Sequence, residues 1–428
     1  MTRMVTSLSA LILSIVLLVS GNAFLMTLLG VRLSIEAVSP NIIGWILVCY
    51  SIGFVLGTLY VHLIIGRVGH IRAFAVFAAM AAVCALLYPV AVSEVFWAIL
   101  RALSGFSVAG VLVVIESWFS SRATNANRGA LFAVYQIVFY LSAAGGQLLI
   151  NVGEPSSFIP FSLAAVLLTL ALIPLSLTRM DAPVIEQSER LSFFTLARES
   201  FTGVSGALIC GVMIGSFYAL GPVYATLVGL EVSRVSTFMA SAIVAAMLLA
   251  WPLGLVCDRF DRRRVMFWVA VTAGTAAVSV GILGAERMWL LTLLVGLFTG
   301  LSATLYPIAV AITNDRMESN RIVAASATLL LSYGVGSVIG PIVMAELVGI
   351  LGPRGLFFGN AGFLVVLAVI TSYRISHTDD VPVAEQEHFI PAMPETSPVL
   401  TEMDPRNEEF HQSAEATEFH EEDMRKTG

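Results

Sequence analysis

Residues 254–264 read Gly254-Leu-Val-Cys-Asp258-Arg259-Phe-Asp261-Arg262-Arg263-Arg264, a cluster of charge between two apolar runs, Val235 to Cys257 and Val265 to Leu283. Each run is long enough to cross about 30 Å of hydrocarbon as a helix, so the charged stretch reads as a turn at a membrane surface. Residues 62–72 read His62-Leu-Ile-Ile-Gly66-Arg67-Val-Gly69-His70-Ile-Arg72 in the same setting, 192 positions earlier. Asn127-Arg128 and Tyr140 match Asn320-Arg321 and Tyr333 at an offset of 193. Two nearly equal offsets in separate loops indicate a chain built from two copies of one unit.

Outward from these turns, twelve apolar segments can be marked: Ser7 to Gly30, Ile42 to Ile65, Ala73 to Val92, Val95 to Trp118, Gly129 to Val152, Phe158 to Leu177, Gly203 to Val228, Val235 to Cys257, Val265 to Leu283, Trp289 to Thr313, Ile322 to Leu351 and Leu356 to Tyr373. Composition agrees, with 57% hydrophobic residues, 12% charged and a mean hydropathy of +0.88. A soluble domain would carry about 25% charged residues. Arg3 precedes the first run as in a signal peptide, but the run is long and no small-x-small cleavage site follows, so it is expected to remain.

The segments divide into residues 1–177, a linker at 178–202 with Pro183 and mixed charge, residues 203–375, and a tail at 376–428. From Ile375 onward stand 14 acidic and 3 basic residues, against 29 and 23 in the whole chain, so the body carries +5 and the tail −11. Such a tail lacks the apolar content to fold and is expected to be disordered. Fifteen arginines fall in the connections on one side, and only Arg32, Arg234, Arg287 and Arg354 on the other. By the positive-inside rule the arginine-dense side, both termini included, is cytoplasmic.

These residues resemble the major facilitator superfamily of secondary transporters, over residues 1 to 375. The family's loop signature, G-x-x-x-D-R-x-G-R-R/K, is nearly complete in 254–264, with Asp261 in place of the glycine. In 62–72 Gly66 replaces the aspartate and His70 an arginine. Arg101-Ala-Leu-Ser-Gly105 is similar to the family's second signature, an intramembrane arginine before a glycine. Gly336-Ser-Val-Ile-Gly340-Pro341 in span 11 is similar to the glycine-proline motif that antiporters place in span 5, where this chain has Gly145-Gly146-Gln147 and no proline. Glu116-Ser117-Trp118 with Tyr306-Pro307 is similar to a poorly characterised bacterial subfamily near the drug-proton antiporters.

The resemblance implies an all-α integral membrane fold, twelve transmembrane helices in two pseudo-symmetric six-helix bundles. It implies a monomeric carrier in the bacterial cytoplasmic membrane working by alternating access, with a small-molecule substrate, protons as the coupling ion and export as the direction. Spans 2 and 11 would meet across the halves through Gly53/Gly57 and Gly336/Gly340. Solute uptake, or a non-transporting sensor or scaffold that recruits a partner through the tail, are the other functions open.

Arg101 is the first substrate or coupling candidate, because a lone charge in a span costs at least about 2.5–3.5 kcal/mol and normally faces a partner or a wet cavity. It could instead snorkel outward or clamp backbone carbonyls. Asn22, Gln136, Gln147, Tyr218 and Tyr306 could line a cavity, or could bond helices together. Glu346 could carry a proton or be a solvated helix end, and span 1 lacks the mid-depth acidic residue of many proton-driven drug carriers. Cytoplasmic latch candidates are Arg67, Gly69, His70, Glu116, Arg128, Asp258, Arg259, Arg262, Arg263 and Asp315. The family pattern would set Glu116 beside His70 or Arg67. Spacing pairs Arg262 or Arg263 with Asp315, and Asp258 with the start of span 5 around Arg128.

No phosphate loop, H-E-x-x-H or CxxC occurs, so no cofactor, metal, nucleic-acid or enzymatic role is expected. Gly203-Val-Ser205-Gly206 matches a membrane serine protease motif, but the body histidines are only His62 and His70.

Overall fold

The computed structural model describes residues 2–121, 128–177, 192–284, 286–317 and 321–378, with residues 381–383, 386, 389–390 and 393 in the tail. Most of the linker, most of the tail and the Arg128 side chain lie outside the described residues.

Among the described residues, twelve helices are long and apolar enough to cross a membrane. They are span 1, Leu8–Ile35; span 2, Pro40–Val68; span 3, His70–Val90; span 4, Glu94–Ser120; span 5, Gly129–Val152; span 6, Ile159–Leu177; span 7, Phe201–Leu227; span 8, Val232–Cys257; span 9, Arg262–Leu283; span 10, Met288–Asn314; span 11, Ala324–Leu351; and span 12, Gly355–His377. In hydrocarbon every backbone N–H and C=O must be satisfied within the segment, which is why these apolar runs are helical throughout.

Helix ends depart from the apolar limits by a few residues where polar groups extend them. Span 9 starts at Arg262 rather than Val265, because the Asp261 carboxylate caps it, accepting the N–H of Arg263 at 2.7 Å and of Arg264 at 3.4 Å. An oxygen at this position satisfies N–H groups that have no intrahelical partner. Span 2 ends at Val68, and the following Gly69, whose φ of +83° suits glycine, turns the chain into span 3 at His70. Span 8 ends at Cys257, so the break at 258–261 puts Asp258 and Arg262 on separate helices, and the expected shared helical face does not exist.

The two halves are six-helix bundles with matching internal packing. Span 2 packs along span 4 as span 8 packs along span 10, and span 1 along span 5 as span 7 along span 11. Glycines make these approaches close. A Cβ at Gly105 of span 4 would strike the Tyr50 backbone of span 2, one at Gly300 of span 10 would strike Ala245 of span 8, and one at Gly146 of span 5 would strike Ser20 of span 1. Gly53 and Gly57 likewise face Ala102 and Phe106 of span 4, and Gly336 and Gly340 face Leu208 and Val212 of span 7. The glycine pairs of spans 2 and 11 therefore hold each half together instead of joining the halves. Spans 2 and 11 do meet, but through Gly44 against Ala345 and Gly334 against Val55.

Candidate functional site: a cavity between the halves

The turns richest in arginine lie at one end of the bundles, termed the basic end. At the other, arginine-poor end the halves are closed upon each other. Asn41 Nδ2 of span 2 donates to Glu346 Oε2 of span 11 at 2.7 Å, and Asn151 Nδ2 of span 5 donates to Ser236 Oγ of span 8 at 3.1 Å. Gly30 of span 1 abuts Pro222 of span 7 at the same end. Glu346 is exposed and engaged with Asn41, so it joins the two halves at their surface and does not line the cavity.

Below this closure a cavity of about 170 Å³ lies between spans 1, 2, 4 and 5 of one half and spans 7, 8 and 11 of the other. Three of the residues singled out in the sequence line it: Asn22, Gln147 and Tyr218. Asn22 Nδ2 donates to the Tyr50 hydroxyl at 3.1 Å, Thr27 Oγ1 donates to Gln147 Oε1, and Gln147 Nε2 reaches the Ala23 carbonyl at 3.4 Å. These side chains thus bond spans 1, 2 and 5 together while presenting polar edges to the cavity. Gln136 is buried and outside the lining. Tyr306 is also outside it, packed edge-on at 5.7 Å against Tyr333, which does line the cavity.

Arg101 stands one layer behind the wall. Its side chain is 1% exposed, with the guanidinium carbon 4.5 Å from the ring centroid of Tyr50 and Nη2 2.9 Å from Met26 Sδ. Tyr50 and Met26 line the cavity and Arg101 does not. In this state Arg101 stands behind that intervening layer and not in the lining. It neither snorkels to the surface nor, among the described residues, bonds a backbone carbonyl.

A family model described as Major Facilitator Superfamily matches residues 4–251 and, in a second match, 204–409. The chain belongs to that family. It is accordingly a multi-pass secondary transporter, and its two overlapping matches cover one half each and more. The uncharacterized MFS-type transporter YcaD of Escherichia coli strain 536 is 31% identical over 378 residues, 85% of this chain and 94% of the relative, and that of Escherichia fergusonii 29% over 379 residues. Among solved structures, the nucleoside transporter NupG superposes with a TM-score of 0.73 at 15% identity, covering 88% of this chain and all of that one. A bacterial homolog to the human lysosomal transporter Spinster, inward-facing and occupied, gives 0.72 at 12% identity over 90% and 98% of the two chains. At such identity these structures speak for the fold alone.

The family's loop signatures take separate partners in the two halves of this transporter. In the second half Arg262 of span 9 forms an ion pair with Asp315 at the end of span 10, and Arg262 Nη1 also lies 3.3 Å from the Ala311 carbonyl. Both helices belong to the same half, so this contact is internal to one bundle, not a bolt between the halves. Arg263 caps the end of span 12, donating to the carbonyls of Arg374 at 3.3 Å and Thr378 at 3.1 Å. Asp258 accepts the N–H of Phe389 in the tail at 2.7 Å, and Arg259 is exposed. In the first half Arg67 is exposed, the His70 ring sits 5.8 Å from that of Trp118, and Glu116 accepts the Tyr135 hydroxyl at 2.5 Å. Trp118 thus takes the place beside His70 that the family pattern suggested for Glu116.

Ser205 donates to the Phe201 carbonyl of its own helix at 2.8 Å, an ordinary helical serine with no nucleophile's surroundings. Tyr50, Met26, Thr27 and Ser337 are cavity residues that the sequence reading did not single out. One signal was available for Tyr50: Tyr50 and Phe54 are four apart, hence on one helical face, and both line the cavity.

Proposed function

We propose that this transporter takes up a small polar organic solute through the central cavity, with the basic end cytoplasmic. The lining carries the reading: carboxamides of Asn22 and Gln147, hydroxyls of Tyr50 and Tyr218, and aromatic faces, with no carboxylate among the described lining residues. Proton-driven export would need a titratable carrier in or beside the solute path. Glu346 is tied to Asn41 at the arginine-poor surface and Glu116 to Tyr135, and neither lines the cavity. The nucleoside transporter of similar fold has a small polar organic solute in its name, the class this lining would bind. With the arginine-poor end closed, solute would leave or reach the cavity from the cytoplasm. The other half of the cycle would part Asn41 from Glu346 and Asn151 from Ser236.

The test is solute screening with purified protein in proteoliposomes of defined orientation, with and without an imposed pH gradient. Inward flux of a polar organic solute without stoichiometric proton exit is expected. Outward flux driven by proton entry would return the protein to the exporters, and failure to move any solute would favour the sensor or scaffold.

A further inference from the structure

Arg101 lies against two lining residues, Tyr50 and Met26, and among the described residues no carboxylate pairs with it. A guanidinium has five N–H donors and stays protonated in proteins. Here one donor meets a thioether, the weakest of acceptors, and the cationic face lies against an aromatic ring. Arg101 Nε is buried with no hydrogen-bond partner. The Tyr88 hydroxyl is buried beside the guanidinium, a neutral neighbour that supplies no opposite charge.

A buried cation left in this condition is costly unless an opposite charge arrives during the working cycle. Its field acts through the thin wall of Tyr50 and Met26 with little water to screen it. On the cavity side of that wall the Asn22 amide and the Tyr50 hydroxyl supply donors suited to an oxyanion, and Phe54, Phe139 and Leu112 supply apolar surface. An ammonium group would meet the uncompensated arginine and no carboxylate.

We infer that the solute is an organic anion, a small carboxylate with an apolar or aromatic body, whose negative charge offsets the buried guanidinium of Arg101. This rests on the carrier reading above and narrows it to a substrate class. Arg101 is then a positioning residue: it sets the potential at the cavity wall, while Asn22 and Tyr50 make the contacts. Met26 keeps the guanidinium beside the wall without neutralising it.

The experiment uses the full chain, in detergent for thermal stabilisation and in proteoliposomes for flux, against charge-matched triplets. Each triplet contains a carboxylate, its primary amide and the amine on the same skeleton, such as phenylacetate, phenylacetamide and phenethylamine, extended over a range of aromatic and aliphatic skeletons. The expected result is that carboxylates stabilise the protein and move in preference to their amides. In Arg101→Gln the carboxylate-to-amide ratio should fall by about tenfold or more, equivalent to about 1.4 kcal/mol. Met26→Glu, which places a permanent counter-ion beside Arg101, should cause the same fall with the arginine present, and Arg101→Lys should restore much of the ratio. A merely structural Arg101 would change stability or protein amount for every probe and leave the ratio unmoved. Preference for amides or amines, or an unchanged ratio in Met26→Glu, overturns the anion inference and leaves the carrier reading standing. If no member of any triplet binds or moves, both fall.

Discussion

The backbone N–H of Phe389 donates to the Asp258 carboxylate at 2.7 Å, tying the tail to the end of span 8. The Phe389 ring lies over Gly254, where a Cβ would come 3.0 Å from Cδ1, and Met393 is only 4% exposed. Composition alone reads this tail as disordered, yet these residues pack on the second bundle. In a background without the native cysteines Cys49, Cys84, Cys210 and Cys257, Met393→Cys should react slowly with a maleimide and faster once Phe389→Ala is added. Equal rates in the two backgrounds would show that Phe389 does not hold the segment down.

Arg262 and Asp315 form a buried pair, their side chains 1% and 5% exposed. Removing one partner leaves an uncompensated charge, so Arg262→Ala or Asp315→Ala should each cost about 3–5 kcal/mol of stability. The double replacement Arg262→Met with Asp315→Leu should cost less than either. Thermal unfolding in detergent reads the difference, and additive losses in the double variant would show the pair is not coupled.

Gly44 fits against Ala345 with no room for a Cβ, at the end where the halves are closed. Gly44→Val should hold that end apart, raising cysteine labelling at the Asn41 and Glu346 surface and cutting flux by about tenfold. Gly66→Ala is the control, since no atom lies within 4 Å of a Cβ there. Normal flux with unchanged labelling in Gly44→Val would mean that this closure is not part of the cycle.

Asn22 is a polar side chain of span 1 at the cavity wall, bonded to Tyr50 at 3.1 Å. Asn22→Ala removes one hydrogen bond to a solute or to Tyr50, with an expected loss of about 1–1.5 kcal/mol, roughly tenfold in apparent affinity. Concentration-dependent uptake should show this as a raised KM with protein amount unchanged. An unaltered KM would assign Asn22 to helix bonding alone.

Sequence alone determined the twelve spans, the duplication and the family, because hydrocarbon forces apolar helices of fixed length and because duplicated loops preserve their spacing. It also supplied the pairing of Arg262 with Asp315 as one of two options, and Asn22, Gln147 and Tyr218 as cavity candidates. What it could not decide was which face of each helix looks inward. Every face of a membrane helix is apolar, so periodicity marks no core side, and one helical step of about 100° separates lining from lipid. That rotation put Tyr50 and Met26 at the wall with Arg101 behind them, and turned Gly53 and Gly57 toward span 4 instead of span 11. It left Glu346 at the surface beside Asn41. The neutrality of the cavity lining and the place of the buried Arg101 behind it exist only in the packed bundles, where residues from seven spans meet.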